Sequence, residues 1–206
     1  MYECDKCAAF GLRFERAYRP DEAIEGDRGA RVWIIGLNPA LDPDWIDTRT
    51  VESLRQYFDD PDTVHSYFHD FKKVSKLLFD QFGKAGGTAH ADLVKCSNKG
   101  WPPDGTTRKG RETIIRNCES YLRDQLKQSK PAMIVCNGSD VSSAIKRLLP
   151  PVGDSTEEAT TSYFAEIDGH RICVVLAGFI GRIDNYAKRR LGKEIEERLT
   201  ELGLNS

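Results

Sequence analysis

Six cysteines in a chain of 206 residues divide by context into two groups. Cys136 ends the apolar run from Ala132, and Cys173 lies within Ile172 to Leu176, so both read as small hydrophobes inside buried strands. Cys4 and Cys7 form a C-x-x-C in a short polar segment ahead of the first strand, and Cys96 and Cys118 stand beside basic or polar residues at the edges of elements. Four thiolates converging in this way suit a metal. Either a tetrahedral Zn²⁺ or an iron–sulfur cluster takes such a set, and two residues between Cys4 and Cys7 fit both. A second chemistry-bearing group is the turn Gly36-Leu37-Asn38-Pro39, which follows a strand at once. A third is His90 with Asp92, two residues apart and therefore on one face of a strand. Basic residues gather locally at Lys95 and Lys99, at Arg108, Lys109 and Arg111, and at Lys188, Arg189 and Arg190, where phosphates could be held.

The elements that must position these groups alternate in type. Ala30 to Ile35 reads as a buried strand, Val51 to Phe58 and Tyr67 to Phe82 as helices, Ala89 to Lys95 as a short strand and Ser97 to Arg111 as an irregular loop. A helix over Arg111 to Gln128, a strand over Ala132 to Asn137 and a helix over Asp140 to Leu149 follow. Ser162 to Ile167 and His170 to Ala177 form a hairpin about Asp168-Gly169, and a last helix runs from Asn185 to Leu202. Alternation of this kind predicts an α/β protein: a three-layer α/β/α sandwich with a mostly parallel central sheet. Ligands of such sheets bind at the carboxyl ends of the strands. That rule selects the turn at Gly36 to Pro39, the segment after Lys95, Gly138 and the segment after Leu176.

Composition bounds the rest. Hydrophobic residues make up 39% and charged residues 30%, enough for one soluble globular domain over residues 1–206. No apolar run is long enough to cross a bilayer, and the first residues lack a basic-then-apolar leader pattern, so a cytoplasmic monomer with no membrane partner is expected. The net charge of −2 excludes a globally basic nucleic-acid binder and leaves only local patches for that task.

In combination, the C-x-x-C, the segment Ile35-Gly-Leu-Asn-Pro-Ala40, Leu93-Val-Lys-Cys96 and Cys118 resemble the uracil-DNA glycosylase superfamily, and most closely its iron–sulfur, family 4-like branch. The resemblance implies a 4Fe-4S cluster on Cys4, Cys7, Cys96 and Cys118, with Zn²⁺ as the alternative, tying an amino-terminal arm of residues 1–29 onto the domain. It also implies DNA as partner and monofunctional hydrolysis of the bond between a damaged or deaminated base and its sugar. Such hydrolysis needs a placed water and donors for the departing base. Asn38, where family 4 usually has an acidic residue, would orient the water, with Gly36 and Leu37 beside the base. The His-Pro-Ser loop of the superfamily is missing after the last core strand, where Ala177 to Arg182 stands instead. Arg182 or backbone N–H groups between Gly178 and Gly181 would then support the leaving base, with Phe179 or Ile180 as a wedge.

Asp92 occupies the place of the family's base-reading Asn. An ionised carboxylate only accepts hydrogen bonds, so either the substrate is not plain uracil, or Asp92 is protonated, or His90 takes part. Trp45, backed by Tyr57 and Phe58, is the expected stacking aromatic. Lys99, Arg108, Lys109 and Arg111 are the expected phosphate contacts. The rival reading is a module of the same fold that binds a nucleobase or nucleic acid without cleaving it.

Overall fold

The computed structural model describes residues 1–39, 49–60, 64–153 and 161–204. Its centre is a five-stranded sheet of β3 (Val32–Gly36), β4 (Thr88–Asp92), β5 (Met133–Cys136), β6 (Ser162–Ile167) and β7 (His170–Val175), in spatial order β4-β3-β5-β7-β6. Four strands run parallel and β6 pairs antiparallel with β7 at one edge. The apolar strands β3 and β5 are buried along their whole length, as strands covered on both faces must be. Ahead of the sheet, β1 (Tyr2–Cys4) and β2 (Phe14–Arg16) make a small antiparallel hairpin of their own. Asp168 and Gly169, at φ of 49° and 75°, turn the β6–β7 hairpin in the primed geometry that Asp-Gly favours.

Side chains alternate between two cores. Trp33 and Ile35 face one layer, made by α5 (Arg108–Ser129), α6 (Ser139–Leu148) and the β1–β2 hairpin. Val32 and Ile34 face the other, made by α3 (Phe71–Val74), α4 (Lys76–Phe79) and α7 (Asn185–Glu201). Each fully buried side chain of this size contributes about 1.5–3 kcal/mol relative to exposure. The result is the three-layer α/β/α sandwich with a mostly parallel sheet.

Several boundaries differ from the sequence-based expectation. The stretch Tyr67 to Phe82 is not one helix but α2 (Ser66–His69), α3 and α4 in succession. The break at Ser75 has a cause: its backbone is extended, its hydroxyl caps the next turn by accepting from Leu78 N–H at 3.2 Å, and it donates to Glu196 of α7 at 2.7 Å. There α7 comes so close that a Cβ on Gly192 would lie 1.8 Å from the Val74 carbonyl oxygen. The first short helix, α1 (Val51–Arg55), ends before Phe58, and β4 stops at Asp92 rather than Lys95. Helix α5 begins at Arg108, within the expected loop, because Thr107 accepts from the Gly110 N–H at 3.1 Å and caps it. Cys118 consequently lies well inside α5 on its buried face with Ile114, Leu122 and Leu126, not at an element edge. Among the described residues, no helix is long and apolar enough to cross a membrane.

Candidate functional site

A cleft of about 1040 Å³ opens at the carboxyl ends of β3, β4, β5 and β7. Its floor is the turn after β3. Gly36 and Leu37 accept hydrogen bonds from the N–H groups of Leu93 and Val94, and the Pro39 carbonyl accepts from Asn98, so the turn is laid along the segment that follows β4. Asn38 is half-buried in this wall, and its side-chain amide donates to the Pro39 carbonyl at 3.0 Å. That leaves its carbonyl oxygen with no donor among the described residues. Glycine at 36 is required by packing: a Cβ there would lie 2.5 Å from Asp92 Oδ1 and 2.6 Å from His90 Nε2.

Behind this floor stands a row of alternating charges that includes two residues the sequence reading missed. Arg49 donates to Glu25 Oε1 at 2.8 Å, Glu25 Oε2 meets His90 Nδ1 at 2.8 Å, and His90 Nε2 lies 3.9 Å from Asp92 Oδ1. Main-chain bonds in both directions between Glu25 and His90 fix this order. Burial opposes the charge on Glu25, but the hydrogen bonds and charges of His90 and Arg49 outweigh it and hold the carboxyl below its usual range. Burial likewise opposes the charge on His90, and the facing carboxylates of Asp92 and Glu25 prevail, raising its pKa. For Asp92 burial wins, and its pKa is pushed up to about 6. His90 Nε2 is buried without a hydrogen-bond partner, and the Asp92 carboxylate, which lines the cleft, accepts no hydrogen bond among the described residues.

Tyr67 and Asn137 were also missed. Asn137, the polar residue that ends the apolar strand β5, is buried; its amide donates to the Tyr67 hydroxyl and its Oδ1 accepts from the Ile180 N–H at 2.8 Å. Burial and the nearby Asp92 charge raise the Tyr67 phenol well above its usual range. The Tyr67 ring lies nearly parallel to that of Phe179, at 11° and 6.2 Å between centroids. A polar residue at the carboxyl end of an apolar strand was a readable signal for Asn137. Nothing in the periodicity marked Glu25 or Arg49.

On the opposite wall is the loop after β7. Gly178 and Phe179 are exposed, and Arg182 is exposed with its guanidinium 6.0 Å from the Phe179 ring centroid. The Ile180 amide is spent on Asn137, and Ile180 itself is buried, which removes it both as a donor and as a wedge. The amides of Gly178, Phe179 and Gly181 carry no hydrogen bond among the described residues. Trp45 lies outside the described residues. Of the two aromatics expected to back it, Tyr57 lines the cleft, and the buried Phe58 stands edge-on to Tyr57 at 5.0 Å between centroids, in one cluster with Phe68 and Phe82.

The basic residues separate. Lys99, Arg111 and Arg182 line the cleft, with Arg111 3.6 Å from Asp140. Arg108 and Lys109 are exposed on the first turn of α5 outside that lining, with Arg108 paired to Glu112. Lys95 is no phosphate contact: it is buried, and its ammonium is held by the Asp92 carbonyl and by Gln125 Oε1 at 2.7 Å. Lys188 is buried too, 3.6 Å from Asp70.

The four cysteines of interest come from β1, the turn after it, the segment after β4 and α5. Cys7 lies in the electrostatic reach of Cys118, and Cys96 in that of Cys4 and Cys7. Donors point at the sulfurs: Asn117 reaches Cys7 Sγ at 3.4 Å and Tyr121 reaches Cys4 Sγ at 3.5 Å. No three His, Cys, Asp or Glu side chains among the described residues are close enough to share one metal ion.

Comparison with curated proteins finds no match. The family model described as the uracil DNA glycosylase superfamily matches residues 23–176, a span that contains β3 to β7, the Asn38 turn, Glu25 and the His90–Asp92 pair. With that match over most of its length, the chain belongs to the uracil DNA glycosylase superfamily.

Proposed function

We propose that the chain is a monofunctional DNA glycosylase that hydrolyses the N-glycosidic bond of a damaged or deaminated base, within base excision repair. One observation carries this reading: Asn38, the buried His90–Asp92 pair and the exposed Gly178–Arg182 loop surround one cleft at the carboxyl ends of the parallel strands. The carbonyl oxygen of Asn38, which accepts no hydrogen bond among the described residues, suits a water that attacks the sugar, where orientation matters more than basicity. Asp92 reads the edge of the base. Amides of Gly178, Phe179 and Gly181, with Arg182, lie where donors for a departing base anion would act. Lys99 and Arg111 at the mouth suit phosphates, and Arg108 and Lys109 extend that patch.

The cofactor proposed is a 4Fe-4S cluster, with Zn²⁺ as the alternative. N–H and O–H donors are directed at two of the sulfurs, Asn117 at Cys7 and Tyr121 at Cys4, as at thiolates that carry charge. Cys4, Cys7, Cys96 and Cys118 would hold the cluster, which when bound supplies cross-linking of the amino-terminal hairpin to α5 and the β4 side of the site. Anaerobically purified protein is expected to contain iron and sulfide and to absorb broadly near ~400 nm. Zinc in place of iron would overturn the cluster assignment.

The activity is tested by base release from oligonucleotides each carrying one damaged or deaminated base. Release that Asn38→Ala abolishes supports the enzyme. A second reading, a binding module, is favoured by the prior engagement of the Ile180 amide, which leaves the loop fewer donors. Tight DNA binding with no base released from any oligonucleotide would establish it.

A further inference from the structure

Asn137 settles the direction of a proton it does not carry. Its Oδ1 accepts from the Ile180 main-chain N–H at 2.8 Å, and because a main-chain N–H can only donate, the atom facing it is the oxygen and the NH2 group is turned to Tyr67. The amide therefore donates to the Tyr67 hydroxyl. A phenol that accepts on one side keeps its own O–H to donate on another. Tyr67 and Asn137 line the cleft together with Gly178 and Phe179 of the loop after β7, so the phenol stands two hydrogen bonds from that loop. Its ring is packed into place: the Tyr67 N–H donates to His65 Nδ1 at 3.2 Å, His90 lies edge-on at 5.8 Å between centroids and Phe71 at 5.6 Å, and Phe179 is nearly parallel at 6.2 Å. Burial and the Asp92 charge hold the phenol's proton on, so it remains a neutral donor. A donor fixed before the ligand arrives costs no reorganisation when it is used.

We infer that the Tyr67 hydroxyl is a catalytic hydrogen-bond donor to the base in the cleft, and that Asn137 is the positioning residue that directs it. This rests on the reading that the cleft receives a base, and it adds a side-chain donor from α2 to the amides of the loop after β7. The bond that takes the Ile180 N–H out of the loop's set of donors is put to use: it fixes Asn137, and Asn137 fixes the phenol. The ligand that suits such a donor is a base with a carbonyl beside its glycosidic nitrogen, which every pyrimidine has. When the bond from that nitrogen to the sugar breaks, its electron pair stays with the base and spreads onto the carbonyl oxygen, so the hydrogen bond strengthens as the charge develops. The phenol keeps its proton throughout. The attacking water adds its oxygen to the sugar carbon, and the proton it releases neutralises the base through solvent.

The test uses the whole protein with its metal content intact and the conservative variant Tyr67→Phe, which removes one oxygen atom and leaves the ring. On an oligonucleotide from which wild type releases a base, kcat is expected to fall ~100-fold while KM and DNA affinity change by less than ~3-fold, the size of effect that losing one preorganised donor has. Asn137→Leu is expected to lower kcat ~10-fold in wild type and by less than ~3-fold when added to Tyr67→Phe, because it acts through the phenol. Losses that add would assign Asn137 to the loop alone and overturn its positioning role. A kcat changed by less than ~3-fold in Tyr67→Phe, or one that falls together with DNA affinity, overturns the donor and leaves the glycosylase reading standing. If wild type releases no base, the glycosylase reading falls and binding decides the donor. The probes are two oligonucleotides carrying, at one position, 2′-fluoro-2′-deoxyuridine or its difluorobenzene isostere, which keeps the ring's shape without its carbonyl acceptors. Wild type is expected to hold the uracil probe ~5-fold more tightly, and Tyr67→Phe to lose that preference. A preference that the variant retains overturns the inference, as does equal affinity of wild type for the two probes, which also decides the matter should the variant not fold.

Discussion

The two walls of the cleft are built on opposite principles. The β4 wall is buried, charged and fixed: Glu25, His90 and Asp92 are held by main-chain bridges and ion pairs, with Gly36 pressed against them. The wall after β7 is exposed, glycine-bearing and held at one point by Asn137, with Phe179 and Arg182 in solvent. Recognition by buried charges demands positions fixed in advance, because the cost of desolvation is met at folding and not at binding. An exposed loop is suited to closing on a ligand after it arrives.

The largest effect that would break this contrast is at its centre. Glu25→Ala strands His90 and Arg49 without their shared carboxylate, and denaturant unfolding is expected to show a loss of about 3–5 kcal/mol. A loss under ~1 kcal/mol would mean that the row is not what fixes the wall. Next in size, Asn38→Ala is expected to lower base release about 100-fold while DNA binding changes little, because only the water would lose its guide. Parallel losses in release and binding would place Asn38 in ligand binding instead.

Asp92→Asn sharpens the comparison from the stability side. The folded pKa of Asp92 is raised to about 6, above its unfolded value, so the ionised form is disfavoured by folding and stability falls as pH rises through that range. The variant is therefore expected to be more stable than wild type by about 1–2 kcal/mol at pH 8, with the gain fading as pH falls from ~6 to ~4. Equal stability at every pH would show that His90 fully compensates the carboxylate. The smallest effect is expected on the open wall: Arg182→Ala is expected to change stability by less than about 0.5 kcal/mol, with any effect confined to base release.

The same contrast separates what could be read from the sequence from what could not. Apolar runs gave β3, β5 and β7, Asp168-Gly169 gave the hairpin, and the strand-end rule led to Gly36, Asn38 and Gly178. His90 and Asp92 were legible because a period of two puts them on one face. Glu25 and Arg49 were not, since their roles arise from long-range pairing with β4, which local patterning does not encode. Lys95 was misread for the converse reason: a lysine beside a polar loop looks like a phosphate contact until α5 supplies Gln125 to receive it. The break at Ser75 was hidden because the three short helices keep their apolar residues turned to one core, so the spacing alone mimicked a continuous helix.

Gly36 can be regarded as the site's gauge block. The gap beneath Asp92 and His90 is set by a single hydrogen atom, and replacing it with a methyl group would drive a wedge 2.5 Å from one side chain and 2.6 Å from the other. Position 36 thus sets how closely the turn after β3 lies against these two side chains, and does so with an atom that neither donates nor accepts. A library that varies the polar residues of this cleft while leaving position 36 untouched would explore selectivity at constant spacing, whereas one that enlarges it would change the mould before any hydrogen bond is tried.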